Sequence, residues 1–407
     1  MWRRGGSAGN RGAASILIDM STGSLTETQR EIQALARGFA ADEITPHASQ
    51  WDRDACFPVA VAHRMGELGF LGMLIPVAYD GLALDTTSYL LALEEIAAAD
   101  ASAAVLMSVH NSLPTQMLLN FGSQEQKQRF LEPMARGEMI GAFALSEPEA
   151  GSDASSLRCQ AVRDGDDWLL SGTKSWVTSG SFADVIVVMA RTDAPDARRG
   201  SKGISAFIVT PDLPGFHVGK KEDKMGLRAS PTVQLDFDGL RVPAANLLGA
   251  EGQGFVFAMQ SLDNGRLGIA AQALGIAQAA LNASLDYAAE RKQFGQPIRE
   301  FQAIQFKLAD MGARIASARA LLHMTAAAKD RGESTTMHGS MCKLLASETA
   351  MWVTTEAVQI FGGYGYVKDY PVEKYFRDAK ITEIYEGTSE IQRVVIAREL
   401  YAARERA

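Results

Sequence analysis

Thr232-Val233-Gln234-Leu235-Asp236-Phe237-Asp238 alternates polar and apolar residues without a break. A period of two puts every second side chain on one face of an extended chain, so the segment reads as a half-buried β-strand. Upstream, Trp168-Leu169-Leu170, Val185 to Ala190 and Ile204 to Val209 are short apolar runs separated by Gly, Pro, Asp and Ser clusters. Their spacing predicts a small antiparallel β-barrel or sandwich over residues 141–252. Downstream of Gly254 the period changes to that of a helix: Leu267, Ala271, Leu274, Ala277, Leu281, Leu285 and Ala288 mark one face. Phe306 to Ala328 and Met341 to Phe361 behave alike, and long helices with short links predict an antiparallel bundle over 253–407.

Residues 24–140 read as helical. Ser24-Leu25-Thr26-Glu27 carries a capping-box pattern with Ser24 as N-cap, and Leu35, Phe39 and Ile44 follow at roughly helical spacing. Gly66, Gly69, Gly72 and Gly81 mark breaks. Tyr89 to Val109 is rich in Ala and Leu, contains no Pro or Gly, and predicts one buried helix. The order is therefore helices, a β domain, then a helical bundle: an α+β multidomain chain.

A chain of 407 residues exceeds one ordinary core, in keeping with several domains. A formal charge of -8 disfavours non-specific binding to nucleic acid. Cys56, Cys159 and Cys342 lack CxxC spacing and read as reduced thiols. The scattered histidines, His63 among them, offer no second ligand at helical spacing, so no metal site is assigned. No apolar run approaches the roughly 18 residues of a membrane span, and a soluble protein is expected. Residues 1–23 contain Arg3, Arg4 and Arg11 with no acid before Asp19, which suits either a mitochondrial-type targeting segment or a disordered tail.

Four segments have the makings of a site. Ala144-Leu145-Ser146-Glu147-Pro148-Glu149-Ala150-Gly151-Ser152-Asp153 is a turn whose N–H groups and hydroxyls suit a pyrophosphate, or an ordinary polar turn. In Gly172-Thr173-Lys174-Ser175-Trp176-Val177-Thr178, Trp176 suits stacking on a flat heteroaromatic ring, with Thr178 at its edge; the alternative is a tryptophan in the β core. Gln359-Ile360-Phe361-Gly362-Gly363-Tyr364-Gly365 holds more glycines than a helix C-cap needs, and close approach of a ligand to the backbone explains the others. It is not GxGxxG and no strand precedes it, which argues against a Rossmann site. Ile384-Tyr385-Glu386-Gly387-Thr388-Ser389-Glu390 sets a carboxylate beside a glycine and a helix start that Thr388 or Ser389 can cap; a solvated loop glutamate is the alternative.

Taken together and in this order, the four segments resemble the acyl-CoA dehydrogenase family from about residue 24 to the C-terminus, most closely its short-chain and short-branched-chain members. The resemblance implies an N-terminal helical domain, a central β domain, a C-terminal four-helix bundle, bound FAD and a homotetramer. By residue match, Phe143, Ala144, Leu145, Ser146, Gly151 and Ser152 line the flavin and its pyrophosphate, and Trp176, Val177 and Thr178 pack on its ring. Arg291, Phe294, Gln302, Gln359, Gly362 and Gly363 contact the FAD of a neighbouring subunit, and Thr388 and Glu390 close over the cofactor. Ser152, Asp263, Arg266, Tyr385 and Gly387 match substrate-side positions, and Glu386 matches the base that removes the α-proton of the thioester.

The resemblance also implies a short acyl-CoA substrate, an electron-transfer flavoprotein as redox partner, and the bacterial cytoplasm or mitochondrial matrix as location. Some relatives carry the base just before the arginine matching Arg266; here that position is Gly265, which cannot serve. Glu147 is expected to organise its loop. Glu149 departs from the small residue or Asn usual in the family and is expected to face solvent, because pointing inward it would repel phosphate. An oxidase passing electrons to oxygen and a non-catalytic or DNA-associated relative are the competing readings. The length favours a dehydrogenase over the former, and the acidic charge and retained base disfavour the latter.

Overall fold

A computed structural model describes residues 25–193 and 200–406. The expected tail, residues 1–23, lies outside them. The N-terminal part contains α1 (Glu27–Phe39), α2 (Ala48–Asp54), α3 (Val59–Glu67), α4 (Thr86–Ala99), α5 (Ala101–Ser112), α6 (Pro114–Phe121) and the short α7 (Gln124–Gln126) and α8 (Glu132–Ala135). The central strands are β1 (Gly141–Ala144), β2 (Gln160–Asp164), β3 (Asp167–Thr178), β4 (Val185–Arg191), β5 (Ile204–Val209), β6 (Phe216–Lys221), β7 (Thr232–Pro243) and β8 (Leu247–Leu248). The C-terminal part comprises α9 (Gly254–Glu290), α10 (Gln302–Asp330), α11 (Thr336–Phe361), α12 (Val372–Ile381) and α13 (Ser389–Arg406).

Two helical expectations are corrected. The first helix is capped by Thr26, not Ser24: Thr26 Oγ1 accepts from Gln29 N at 3.2 Å and Gln29 Oε1 accepts from Thr26 N at 3.0 Å. The same box simply closes two residues later. The Tyr89–Val109 stretch is two helices, because Asp100 adopts an extended conformation (φ -155°, ψ 119°). Its Oδ1 accepts from Ser102 N and Ala103 N at 2.8 and 2.9 Å and starts α5 afresh. An aspartate side chain competing for main-chain donors ends a helix without help from Pro or Gly.

The sheet has the order β6-β7-β3-β2-β4-β5-β8, with β1 also paired to β4. It is mixed, not purely antiparallel as expected: β1 and β4 pair in parallel, as do β2 and β4 at Gln160 and Arg191. A parallel neighbour needs a crossover, and the β2–β3 hairpin intervenes in the chain between β1 and β4. The sheet curls on itself, for Trp168 of β3 and Phe207 of β5, with two strands between them, meet edge to face with ring centroids 5.5 Å apart. Inside the curl lie Ile186, Val188 and Ala190; the alternate residues Val185, Val187 and Met189 of the same strand face Met117, Leu131 and Phe257 of the helices. Burial on both faces explains why β4 and β5 are largely apolar while β7 alternates.

In the C-terminal part α11 lies against α9, α10, α12 and α13. Residues of α4 and α5 (Leu90, Leu93, Val105) share one apolar cluster with α9 and α11 (Leu267, Leu274, Val353), so the helical parts have a common core. Arg319 of α10 donates to Glu94 of α4 at 3.0 Å and to Gln278 of α9 at 2.9 Å within it.

One ionic cluster joins all three parts. Lys374 of α12 donates to Asp100 Oδ2 at 2.9 Å and to Asp378 Oδ2 at 2.7 Å, and Asp378 Oδ1 accepts from Leu227 N in the β domain at 2.6 Å. All three side chains are buried. Burial alone would discharge the lysine; the two carboxylates outweigh it and hold the ammonium well above its usual range. Lys374→Met leaves two buried carboxylates without their cation, which costs on the order of 3–5 kcal/mol. The expected outcome is a large fall in the thermal midpoint or loss of folded protein; an unchanged midpoint would show that the cluster does not hold the parts together.

Candidate active site

The segment after α12 reverses tightly before α13. Glu386 and Gly387 both lie in the left-handed region, at φ 52° and 91°. Glycine takes this conformation freely, whereas for a glutamate it is strained and persists only if the surroundings impose it. Here Gly387 O accepts from Lys343 Nζ of α11 at 2.6 Å and from Gln392 Nε2 of α13 at 2.9 Å. Ser389 N donates to Glu383 O at 2.9 Å, and Thr388 Oγ1 accepts from Ile391 N at 3.3 Å, so Thr388 caps α13 as expected.

This backbone aims the Glu386 side chain at α9. A Cβ on Gly265 would lie 2.1 Å from Glu386 Oε2 and 3.4 Å from Ser112 Oγ. The carboxylate therefore occupies the space that any side chain at 265 would need. Glu386 as a residue is half-buried, but both carboxylate oxygens are shut off from solvent and accept no hydrogen bond among the described residues. Burial pushes its pKa up to about 7, against the pull of Lys343 and Arg266.

Arg266 is buried beside it, with Nη1 2.6 Å from Asp263 Oδ1 and 3.1 Å from Ser340 Oγ of α11. Thr336 Oγ1 donates to the other Asp263 oxygen at 2.8 Å. One turn along α9, a Cβ on Gly268 would lie 2.5 Å from Ser108 Oγ and 3.1 Å from Tyr89 Oη, which is how closely α4 and α5 approach. At Gln272 the side chain donates to Ala101 O at 2.8 Å and accepts from the Tyr385 hydroxyl.

A second group lies on the β domain. Ser175 N donates to Ser146 O at 2.9 Å, tying the turn after β1 to β3. Glu147 organises that turn as expected: it accepts from Arg158 N and Cys159 N at 2.6 and 2.9 Å, and pairs with the wholly buried Lys174 at 2.6 Å. Glu149 faces solvent and pairs with Arg158 at 2.6 Å. The register of β3 against β7 slips between Lys174 and Val177, and within this bulge Trp176 has φ 63° and is 60% exposed. The bulge turns the indole out of the sheet, so Trp168 and not Trp176 is the core tryptophan. Val177 beside it is buried and Thr178 half-buried; Phe143, Ala144 and Leu145 form the end of β1 and its exit, while Gly151 and Ser152 are exposed.

A third group surrounds a cavity of about 900 Å³ lined by Tyr287, Arg291, Phe361, Gly362, Gly363 and Tyr364 among others. The Arg291 guanidinium lies 5.4 Å from the Tyr364 ring centre. Phe294, at φ 50° and 94% exposed, tips the adjacent hairpin, and Gln302, Gln359 and Glu390 are exposed on their helices.

The structure thus gathers Asp263, Arg266, Glu386 and Gly387 at one place, and joins the turn at Ser146 to the strand bearing Trp176 at another. It commits the Tyr385 hydroxyl to Gln272. Sequence reasoning missed Lys343, Gln392, Ser112 and Gln272. Lys343 left a trace, since it shares the buried stripe of α11 with Ala346 and Ala350.

The sequence matches the acyl-CoA dehydrogenase N-terminal domain over residues 26–138, the middle domain over 142–240 and the C-terminal domain over 252–401. The chain belongs to the acyl-CoA dehydrogenase family and is an oxidoreductase. It is 51% identical over 376 residues to the mitochondrial short-chain specific acyl-CoA dehydrogenase of Mus musculus, covering 92% of this chain and 90% of that one. Butyryl-CoA dehydrogenase from Megasphaera elsdenii is 44% identical with a TM-score of 0.91, covering 93% of this chain and 99% of that structure. A glutaryl-CoA dehydrogenase from Mycobacterium smegmatis, in complex with FADH2, is 34% identical with a TM-score of 0.87, covering 92% and 95%.

Gly265→Ala places a methyl group on the Glu386 carboxylate. In a crystal structure of that variant the carboxylate is expected to be swung away from α9. An unmoved side chain, with α9 displaced instead, would contradict the fit described here.

Proposed function

We propose that the enzyme converts a short straight or singly branched acyl-CoA to its trans-2-enoyl-CoA, with Glu386 removing the α-proton. The observation that carries this is the buried, unpartnered carboxylate of Glu386. An acceptor kept from water and committed to no donor is free to take a proton from a weak carbon acid, and a pKa near 7 suits it as a base at neutral pH. In the reaction the α C–H pair forms the C=C bond, the α-proton goes to Glu386, and the β-hydrogen leaves as hydride.

FAD is the proposed acceptor, and the β-domain surface fits it. An outward indole at Trp176 suits a flat ring, and open space at Gly151 suits a phosphate chain. Both nearby carboxylates are neutralised, Glu147 by Lys174 and Glu149 by Arg158, so the departure at Glu149 does not oppose an anion. When bound, the flavin supplies the two-electron acceptor for the hydride. Phe143 to Ser146, Gly151, Ser152, Trp176, Val177 and Thr178 would hold it, with Thr388 and Glu390 closing over it. Arg291, Phe294, Gln302, Gln359, Gly362 and Gly363 would reach the FAD of a neighbouring subunit in a homotetramer. On the substrate side, Ser152, Asp263, Arg266 and Gly387 would orient the thioester, and the Glu386 main-chain N–H would donate to its oxygen. An electron-transfer flavoprotein is the proposed redox partner, and bacterial cytoplasm or mitochondrial matrix the proposed location.

Chain length follows from α9. Gly265, Gly268 and Gln272 share one face, and at 1.5 Å per residue the Gln272–Tyr385 pair stands about 10 Å beyond the carboxylate. That face is already covered one turn beyond Gly265, where Ser108 and Tyr89 close against Gly268, and this closure, backed on the substrate side by Tyr385, leaves room for only a few carbons.

Glu386→Gln is expected to retain yellow, bound FAD and to lose about 10²–10⁴-fold in turnover, the usual range for a general base. Near-wild-type turnover would remove Glu386 from the mechanism. The base must be ionised, so kcat/KM is expected to fall as pH drops through about 7; a profile flat from pH 5 to 8 would contradict the buried carboxylate. Anaerobic bleaching with a series of acyl-CoA esters should be fastest for butyryl- or isobutyryl-CoA and slow sharply for octanoyl-CoA. A preference for the longer ester would show that Ser108, Tyr89 and Tyr385 do not close the pocket.

A further inference from the structure

Lys343 has no part in the chemistry derived above, yet it is a wholly buried cation in the middle of α11. We propose that Lys343 is a positioning residue: its ammonium, together with Gln392, grips the Gly387 carbonyl, holds Glu386 in its left-handed conformation, and by its charge sets how tightly the Glu386 carboxylate binds a proton. The proposal rests on the reading of Glu386 as base.

The geometry separates Lys343 from its neighbours. Arg266, the other cation beside Glu386, is engaged by Asp263 at 2.6 Å. Lys343 forms no ion pair among the described residues; it donates to the Gly387 carbonyl at 2.6 Å. Gln392 donates to the same carbonyl at 2.9 Å and to Glu386 O at 3.3 Å. Two donors from two different helices on one carbonyl fix the peptide that follows Gly387, Gln392 also holds the preceding one through Glu386 O, and the pair of peptides sets the direction of the Glu386 side chain. A charge-assisted bond of this kind is stronger than a neutral one, which suits a strained residue.

The charged and titratable groups around Glu386 are Lys343 on α11, Arg266 on α9, Tyr89 on α4 and the adjoining Tyr385. Those around Lys343 are Glu386, Arg266, Glu383 and Glu390. Burial pushes Lys343 down to about 8, and Glu386 is the strongest influence in the other direction. A cation that burial works to discharge, yet that remains beside a carboxylate burial works to protonate, couples the two titrations.

The coupling is reciprocal, so it is tested from either side. In holoenzyme carrying Lys343→Met, the acid limb of kcat/KM and the carboxyl titration of Glu386, followed by isotope-edited infrared spectroscopy, should both move up by about one pH unit, a tenfold tighter proton. Main-chain hydrogen exchange at residues 385–388 should quicken. Lys343→Arg keeps the charge and should return the limb to its original pH. From the other side, Glu386→Gln should lower the Lys343 titration, read by NMR of its side-chain nitrogen, by the same amount; this arm does not depend on Lys343→Met folding. An unmoved limb in Lys343→Met, or an unmoved Lys343 titration in an inactive Glu386→Gln, would overturn the role of Lys343 while leaving the base in place. An active Glu386→Gln would instead remove the base on which the proposal stands.

Discussion

A lysine ammonium buried between two aspartates ties the three parts of the chain together. Lys374 belongs to α12, Asp100 to the break between α4 and α5, and Asp378 passes the connection to Leu227 in the β domain. Such a cluster is expensive to bury and stays in place only if every member is satisfied. Its position matters because the strained turn bearing Glu386 follows α12 directly. The helix that carries the base into its pocket is therefore referenced at once to both neighbouring domains, which is the condition for an active site assembled where they meet.

Within that frame the pocket is defined by what α9 lacks. Gly265 leaves room for a carboxylate, and Gly268 lets Ser108 and Tyr89 come against the helix. Glu386 fills the first space from another segment. Deprotonation of Glu386 places an unpaired charge out of water, a cost to stability that is the source of its reactivity. A folded-state pKa raised above the ordinary carboxylate value means that stability declines as pH rises through the interval up to about 7. Lys343 and Arg266 offset part of that cost by their charge.

Much of this was legible in the residues themselves. The alternation of Thr232 to Asp238 gave a strand with one wet face, and the apolar runs at Val185 and Ile204 are the two strands covered on both faces. Asp263, Arg266 and the role of Glu386 came from resemblance to the family, and the structure brings the three side chains together. The parallel partnership of β1 with β4 was not legible, because pairing between strands 44 residues apart depends on the crossover and not on local pattern. The break at Asp100 was hidden because its cause is a side chain bonding the two amides that follow it once the residue is extended, and every aspartate in a chain is followed by such amides. Trp176 was ambiguous between core and surface until the bulge, a single extra residue, decided which way it points. Lys343 was overlooked for a related reason: its partner, the Gly387 carbonyl, is a main-chain atom that carries no sequence signature.

The central claim is spatial, and a crystal structure of the holoenzyme with a non-oxidisable butyryl-CoA analogue addresses it without reference to rates. The account predicts a Glu386 carboxylate oxygen within about 3.5 Å of the carbon next to the thioester carbonyl, on the side of the acyl chain away from the flavin. A complex in which another side chain stands at that carbon, with Glu386 still pressed against Gly265 and out of reach, would contradict it.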